Sequence, residues 1–124
     1  MAGQRIVVVG AGGFAREVAW LIDEIGRRDG SVSFRGFVVT DLAALGAHDS
    51  RDRLLGDATW LDENPGEVDG LAIGIGSPSA RLKVAAGLST RFPGLAWPAL
   101  VHPSVIKDRS CDVQEGVLLC AGVV

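Results

Sequence analysis

Three glycines in four positions, Gly10, Gly12 and Gly13, close the apolar run Ile6-Val7-Val8-Val9. Small residues there let the backbone turn tightly and expose N–H groups, the chemistry that holds an anion such as phosphate. A second glycine pair, Gly74 and Gly76, ends the segment Leu71-Ala72-Ile73-Gly74-Ile75-Gly76 and is followed by Ser77-Pro78. Asp41, after Val39-Thr40, reads either as a contact to the ribose or base of a nucleotide or as an acidic residue opening a loop. Other titratable candidates are few. His48 has no cysteine, serine or acidic partner at a motif spacing and reads as solvent-exposed. His102 precedes Pro103 and reads as capping a turn. Cys111 and Cys120 are the only cysteines. Two cysteines and two distant histidines do not supply the four ligands of a structural zinc site, so no metal is expected. No residue stands out as catalytic.

The elements that position these residues follow from the pattern of apolar side chains. A β-branched run without polar alternation predicts a strand buried on both faces of a parallel sheet. Behind the first glycine turn, Phe14, Val18, Leu21, Ile22 and Ile25 recur at helical spacing. Glu17 in the first turn, Arg27 and Arg28 in the last, and Gly30 beyond suit the helix dipole and a glycine C-cap. Arg5 to Asp29 is therefore a strand, a glycine turn and a helix. A second strand is expected over Phe34 to Val39, interrupted by Arg35 and Gly36, and a loop with a short helical turn over 42–53. Asp57 is placed to N-cap a brief helix through Leu61, and Asn64-Pro65-Gly66 signals a turn.

The second glycine strand leads into a helix that Ser77 caps and Pro78 starts. Leu82, Ala85, Ala86 and Ser89 are expected on its inner side, with Arg81, Lys83 and Arg91 toward solvent. Two helix starts at one sheet edge make an anion-friendly crevice; Gly74 and Gly76 serve equally if they only allow close helix–strand packing. Leu95 to Val101 reads as an edge strand, because Pro98 cannot donate to a ladder.

Composition sets the class. A chain of 124 residues, 48% hydrophobic and 22% charged, has enough apolar material for one ordinary core. The net charge of −3 and the absence of a basic run argue against nucleic-acid binding. No stretch has the length of a membrane span, and the N-terminus lacks a signal peptide's apolar region. A cytoplasmic protein with reduced thiols is expected.

After His102 the period becomes six. Val113 and Leu119 mark it, with Val117 and Val123 four positions after each, and Lys107 and Cys111 fit one step earlier. This is the signature of a left-handed parallel β-helix built from hexapeptides. About three hexapeptides give roughly one triangular coil, which cannot bury its own faces. The pattern stops at Val124, so the chain reads as cut short after its first coil.

The block Ile6-Val7-Val8-Val9-Gly10-Ala11-Gly12-Gly13-Phe14-Ala15-Arg16-Glu17-Val18 resembles the N-terminal signature of the sugar acetyltransferases that modify nucleotide-activated amino sugars and sialic acids. Ala72-Ile73-Gly74-Ile75-Gly76 with Arg81, and Leu100-Val101-His102-Pro103-Ser104, are similar to later landmarks of that family. The resemblance implies an α/β fold: a Rossmann-like parallel sheet with flanking helices over 1–100, then the start of a left-handed β-helix over 101–124. It implies a nucleotide-activated sugar, a UDP-amino sugar or similar, as ligand, with Gly10, Gly12, Gly13 and Phe14 against it. Thr40 or Asp41 would sit by the uridine, and Gly76 would close the site. It also implies acetyl-CoA as cosubstrate and a homotrimer for the full-length protein. The family's general base is a histidine of a later coil, so these 124 residues alone are expected to be inactive. The chain departs from the pattern at Phe14, where the family carries histidine, at Val39-Thr40-Asp41, where it has an acidic pair, and at Gln114, where glycine is common.

Two readings from other classes stand beside it. Gly10, Gly12 and Ala15 also satisfy the dinucleotide fingerprint, which would make the chain an NAD-binding module of an oxidoreductase or sensor. Asp41 arrives late for that fingerprint's acidic residue. A non-catalytic regulatory or assembly domain is the third.

Overall fold

Strand β1 (Gln4–Val9) is the centre of the molecule, and Ile6 to Val9 are at most 1% exposed. The computed structural model describes residues 3–105 together with 116, 118 and 119. β1 pairs in parallel with β2 (Val32–Val38) on one side and β4 (Gly70–Ile73) on the other; β3 (Leu54–Gly56) lies outside β2. The order is β3-β2-β1-β4. Alternate residues of β1 serve opposite faces, which is why the run shows no polar alternation. Ile6 and Val8 meet Ala15, Val18, Leu21, Ile22 and Ile25 of helix α1 (Gly13–Asp29), while Val7 and Val9 join a second cluster. That cluster is completed by Leu61 of α2 (Ala58–Glu63) and Leu88 of α3 (Pro78–Arg91). The expected α/β sheet with helices on both faces is thus present.

Local signals mostly act where they stand in the sequence. Gly30 takes the left-handed conformation (φ 71°) and its N–H donates to the Gly26 carbonyl, while Arg27 and Arg28 occupy the last turn of α1. Asp57 accepts from the Thr59 N–H and Ser77 from the Ala80 N–H, capping α2 and α3. The Arg35-Gly36 interruption is a β-bulge: Ile6 pairs with Phe34 and Val7 with Gly36, leaving Arg35 as the extra residue. Its guanidinium is 2.6 Å from Glu67 and lies 5.1 Å from the centre of the Trp60 ring.

Three expectations need correction. α1 begins at Gly13, so Glu17 lies beyond its first turn, which holds no acidic residue. α3 turns Val84, Ala85 and Leu88 inward and leaves Leu82 75% exposed, because the inward face is centred on Leu88 and Leu82 lies roughly 120° round the helix from it. Ala86 and Ser89 are likewise exposed, and Arg81 is half-buried. Finally, Leu95 to Val101 is not one strand: Ala96 bridges Gly70, and only Leu100–Val101 forms β5.

β5 pairs in parallel with β6 (Leu118–Leu119), joining Leu100 to Leu118 and Val101 to Leu119, eighteen positions apart. Leu100 is buried in the α1-side core, and Leu118 packs partly against it. The six-residue grid at Lys107, Cys111, Val113, Val117 and Val123, together with Gln114 and Cys120, lies outside the described residues.

Candidate functional site

β1 continues to β2 on one side and is flanked by β4 on the other, so the direction of winding reverses between β1 and β4. In open parallel sheets the crevice at the carboxyl ends of such a strand pair is where ligands bind. Both glycine turns sit there. Gly10 has φ 130°, and a Cβ on it would come 2.6 Å from the Gly74 carbonyl oxygen. A Cβ on Gly74 would meet Ala15 Cα at 2.7 Å and Val8 Cγ1 at 2.8 Å. Gly10, Ala15 and Gly74 form one tight packing knot, closed by Gly10 N–H to the Val38 carbonyl and Gly74 N–H to the Val9 carbonyl, both at 2.8 Å. Of the two readings held open for the second pair, Gly74 takes the packing one.

Gly12, Gly13 and Gly76 differ. Gly12 caps α1 with no side chain on the first-turn N–H groups. A Cβ at Gly12 or Gly13 would touch only Asp49 Oδ1 at 3.7 Å or Arg16 Nη2 at 3.8 Å, and one at Gly76 would meet nothing within 4 Å. Among the described residues nothing demands glycine at these three positions, and the space around them is open. Phe14 is half-buried on the α1-side core. Arg81 reaches it from α3: its guanidinium carbon lies 5.6 Å from the ring centre, and Nη1 donates to the Ile73 carbonyl at 3.1 Å. Thr40 and Asp41 are exposed at the end of β2. One Asp41 oxygen accepts from the Ala43 N–H at 3.0 Å, capping the short turn Leu42–Ala44. The structure therefore brings Gly10, Gly12, Gly13, Phe14 and the 74–77 turn together, with Thr40 and Asp41 at the end of the strand beyond.

A wall of the crevice escaped the sequence. The Ser50 N–H donates to the Ala11 carbonyl at 2.6 Å, and Arg16 Nη1 donates to the His48 carbonyl at 3.1 Å and to Ser50 Oγ at 3.2 Å. Asp49 holds the same loop together by accepting from the Gly46 N–H at 2.7 Å. The 46–50 segment is pinned on the first glycine turn, and the only forewarning was an arginine in the first turn of α1. His48 itself is exposed, as expected.

His102 belongs elsewhere. Its Nδ1 accepts from the Ser104 N–H at 3.0 Å, which fixes the proton of a neutral ring on Nε2. The ring stacks on Trp20 at 5.3 Å, with Nε2 3.8 Å from Glu24 Oε1. It caps the turn after β5. Among the described residues no group of acidic, histidine or cysteine side chains has the arrangement of a metal site.

Known proteins share this fold. The family described as the PglD N-terminal domain matches residues 5–88, more than half of the chain. Among solved structures, PerB from Caulobacter crescentus in complex with CoA and GDP-perosamine is 28% identical, with a TM-score of 0.68 over 98% of this chain and 53% of that one. A variant of perosamine N-acetyltransferase from the same organism, also with CoA and GDP-perosamine, is 25% identical, with a TM-score of 0.71, 98% of this chain and 53% of that one. The acetyltransferase domain of PglB from Neisseria gonorrhoeae, in complex with acetyl coenzyme A, shares the fold at 21% identity, with a TM-score of 0.71, 97% of this chain and 54% of that one. The chain thus spans about half the length of the structures it resembles. Among curated proteins, none matches the sequence.

Proposed function

Because this chain belongs to the PglD N-terminal domain family, we propose that it is the nucleotide-sugar-binding part of an acetyl-CoA-dependent sugar N-acetyltransferase acting in the cytoplasm on precursors of bacterial glycans. The observation that carries this reading is the pair of glycine turns at the winding reversal between β1 and β4, with open space at Gly12, Gly13 and Gly76. Solved relatives at 25% and 28% identity hold GDP-perosamine, a nucleotide-activated amino sugar, together with CoA. In this chain the diphosphate would lie over the Gly12–Gly13 backbone, where the uncapped N–H groups of α1 converge. Phe14 and Gly76 would border the sugar side. Thr40 and Asp41 would meet the nucleoside, the free Asp41 oxygen accepting from a base or ribose donor.

Residues 1–100 form the nucleotide-sugar unit in this reading, and 101–124 open a left-handed β-helix. The parallel pairing of Leu100 with Leu118 supports the second part, because three hexapeptides bring a chain back beside itself after eighteen residues. In this reading acetyl-CoA binding, the general base and assembly as a homotrimer would lie outside these 124 residues, which span about half of the solved relatives. We expect the 124 residues to bind nucleotide-sugar without transferring acetyl.

Calorimetric titration with UDP, GDP, a UDP-amino sugar and NAD tests the reading. Binding of a nucleoside diphosphate, tightened by the sugar, is the expected result. Binding of NAD with no response to UDP or GDP overturns it in favour of a dinucleotide module.

A further inference from the structure

Three arginines among the described residues are half-buried: Arg5, Arg35 and Arg81. Arg5 is paired with Asp69 and Arg35 with Glu67. Arg81 has no carboxylate partner among the described residues. A partly exposed guanidinium with no carboxylate among the described residues keeps donors available to an anion, and a phosphate suits its planar fork. One of its five N–H groups is used by the Ile73 carbonyl. That bond anchors the side chain at the carboxyl end of β4, on the strand that forms one side of the crevice. The Phe14 ring lies under the guanidinium, and a flat aromatic face holds a planar cation in one orientation while leaving its edge donors free. Arg81 also lines a cavity of about 400 Å³ between α3, β4 and Trp97, whose other described lining residues are apolar or glycine.

We propose that Arg81, held over Phe14, is the side chain that grips the diphosphate of the nucleotide-sugar, with two edge N–H groups directed to one phosphate as in other arginine–phosphate pairs. The inference rests on the nucleotide-sugar reading above and adds to it a cationic ligand from the β4 side of the crevice, opposite Arg16, whose Nη1 is engaged by the His48 carbonyl and Ser50 Oγ. It also gives Phe14 a purpose: a hydrogen-bonding ring is exchanged here for a platform.

The test compares UDP and GDP with uridine and guanosine on the full 124-residue chain, by calorimetry for the diphosphates and by NMR shift titration for the nucleosides. Arg81→Gln should weaken diphosphate binding roughly tenfold or more, and leave nucleoside binding within about twofold, as expected for a group that touches only phosphate. Arg81→Lys, which keeps the charge but not the planar fork, should fall between the two. Phe14→Leu keeps both the charge and the Ile73 bond, and guards against a fold made worse by Arg81→Gln; a selective loss of diphosphate affinity is expected there too. Diphosphate binding unchanged by Arg81→Gln overturns the role of Arg81 alone, as does a parallel loss of nucleoside and diphosphate in both variants. An unsubstituted chain that binds neither diphosphate overturns the nucleotide-sugar reading itself.

Discussion

Glycines that look alike in the sequence have opposite roles in the crevice. Gly74 is filled from inside: Ala15 and Val8 stand where its Cβ would go, and both are fully buried. Gly13 is open from outside, with nothing nearer than an ordinary contact to Arg16. Two substitutions separate the roles. Gly74→Ala forces α1 away from β4, and overpacking of this kind costs on the order of 2 kcal/mol; thermal unfolding should show it, and nucleotide binding should suffer only as the folded fraction falls. Gly13→Val should leave the thermal midpoint within about 2 °C, as surface changes usually do, yet remove diphosphate binding by placing a branched side chain where the backbone must approach phosphate. A Gly13→Val protein that binds UDP and GDP like the parent would mean that the ligand does not approach this turn.

At the scale of elements, α3 makes the sharpest prediction. Leu88 is buried against the β4 side of the core and Leu82 is 75% exposed, although both are leucines on one helix. Leu88→Ala should cost about 2–4 kcal/mol, and Leu82→Lys no more than about 0.5 kcal/mol either way, as read from denaturant midpoints. The sequence-level expectation placed Leu82 inside. It failed because this helix is only weakly amphipathic, and its inward face is chosen by the sheet edge it meets, which no local spacing reveals. α1 was legible because its apolar stripe is complete and its Gly30 cap is of the ordinary kind. β1 was legible because burial on two faces leaves an unbroken β-branched run. The glycine turns were legible as a candidate site, but their partners were not. Ser50 reaches Ala11, and Arg81 reaches Phe14, only once the strand order is set.

Across the sheet as a whole, a charged cluster lies at the end away from the glycine turns, so stability can be changed without touching the site. At the start of β1, Asp69 accepts from the Arg5 backbone N–H at 2.7 Å, from Nε at 3.0 Å and from Nη2 at 3.2 Å. The hydrogen bonds from Arg5 hold the Asp69 carboxyl below the usual carboxylate range. Asp29, which caps Ser31 between α1 and β2, is lowered as well, by the hydrogen bonds from Ser31. A carboxylate whose folded pKa lies below its unfolded one stabilises the protein at every pH above the unfolded value, and the contribution fades as pH falls through the folded value. The chain should therefore keep its full share of this stability at neutral pH and down to about pH 5, and lose it progressively below about pH 4. Asp69→Asn isolates the larger cluster. The pair is about 40% exposed and screened by water, so the substitution should lower the thermal midpoint at pH 7 by only a few degrees, on the order of 3 °C. The gap between variant and parent should narrow as pH falls below the ordinary carboxylate range, about 4, because the parent's own carboxylate is then protonated in its turn. Diphosphate affinity at neutral pH should be the same in both, because Arg5 and Asp69 lie at the opposite ends of β1 and β4 from the glycine turns. A gap that does not narrow on acidification would mean that the Asp69 charge is not what stabilises this end, and an affinity that follows the midpoint would mean that the two ends of the sheet are not independent.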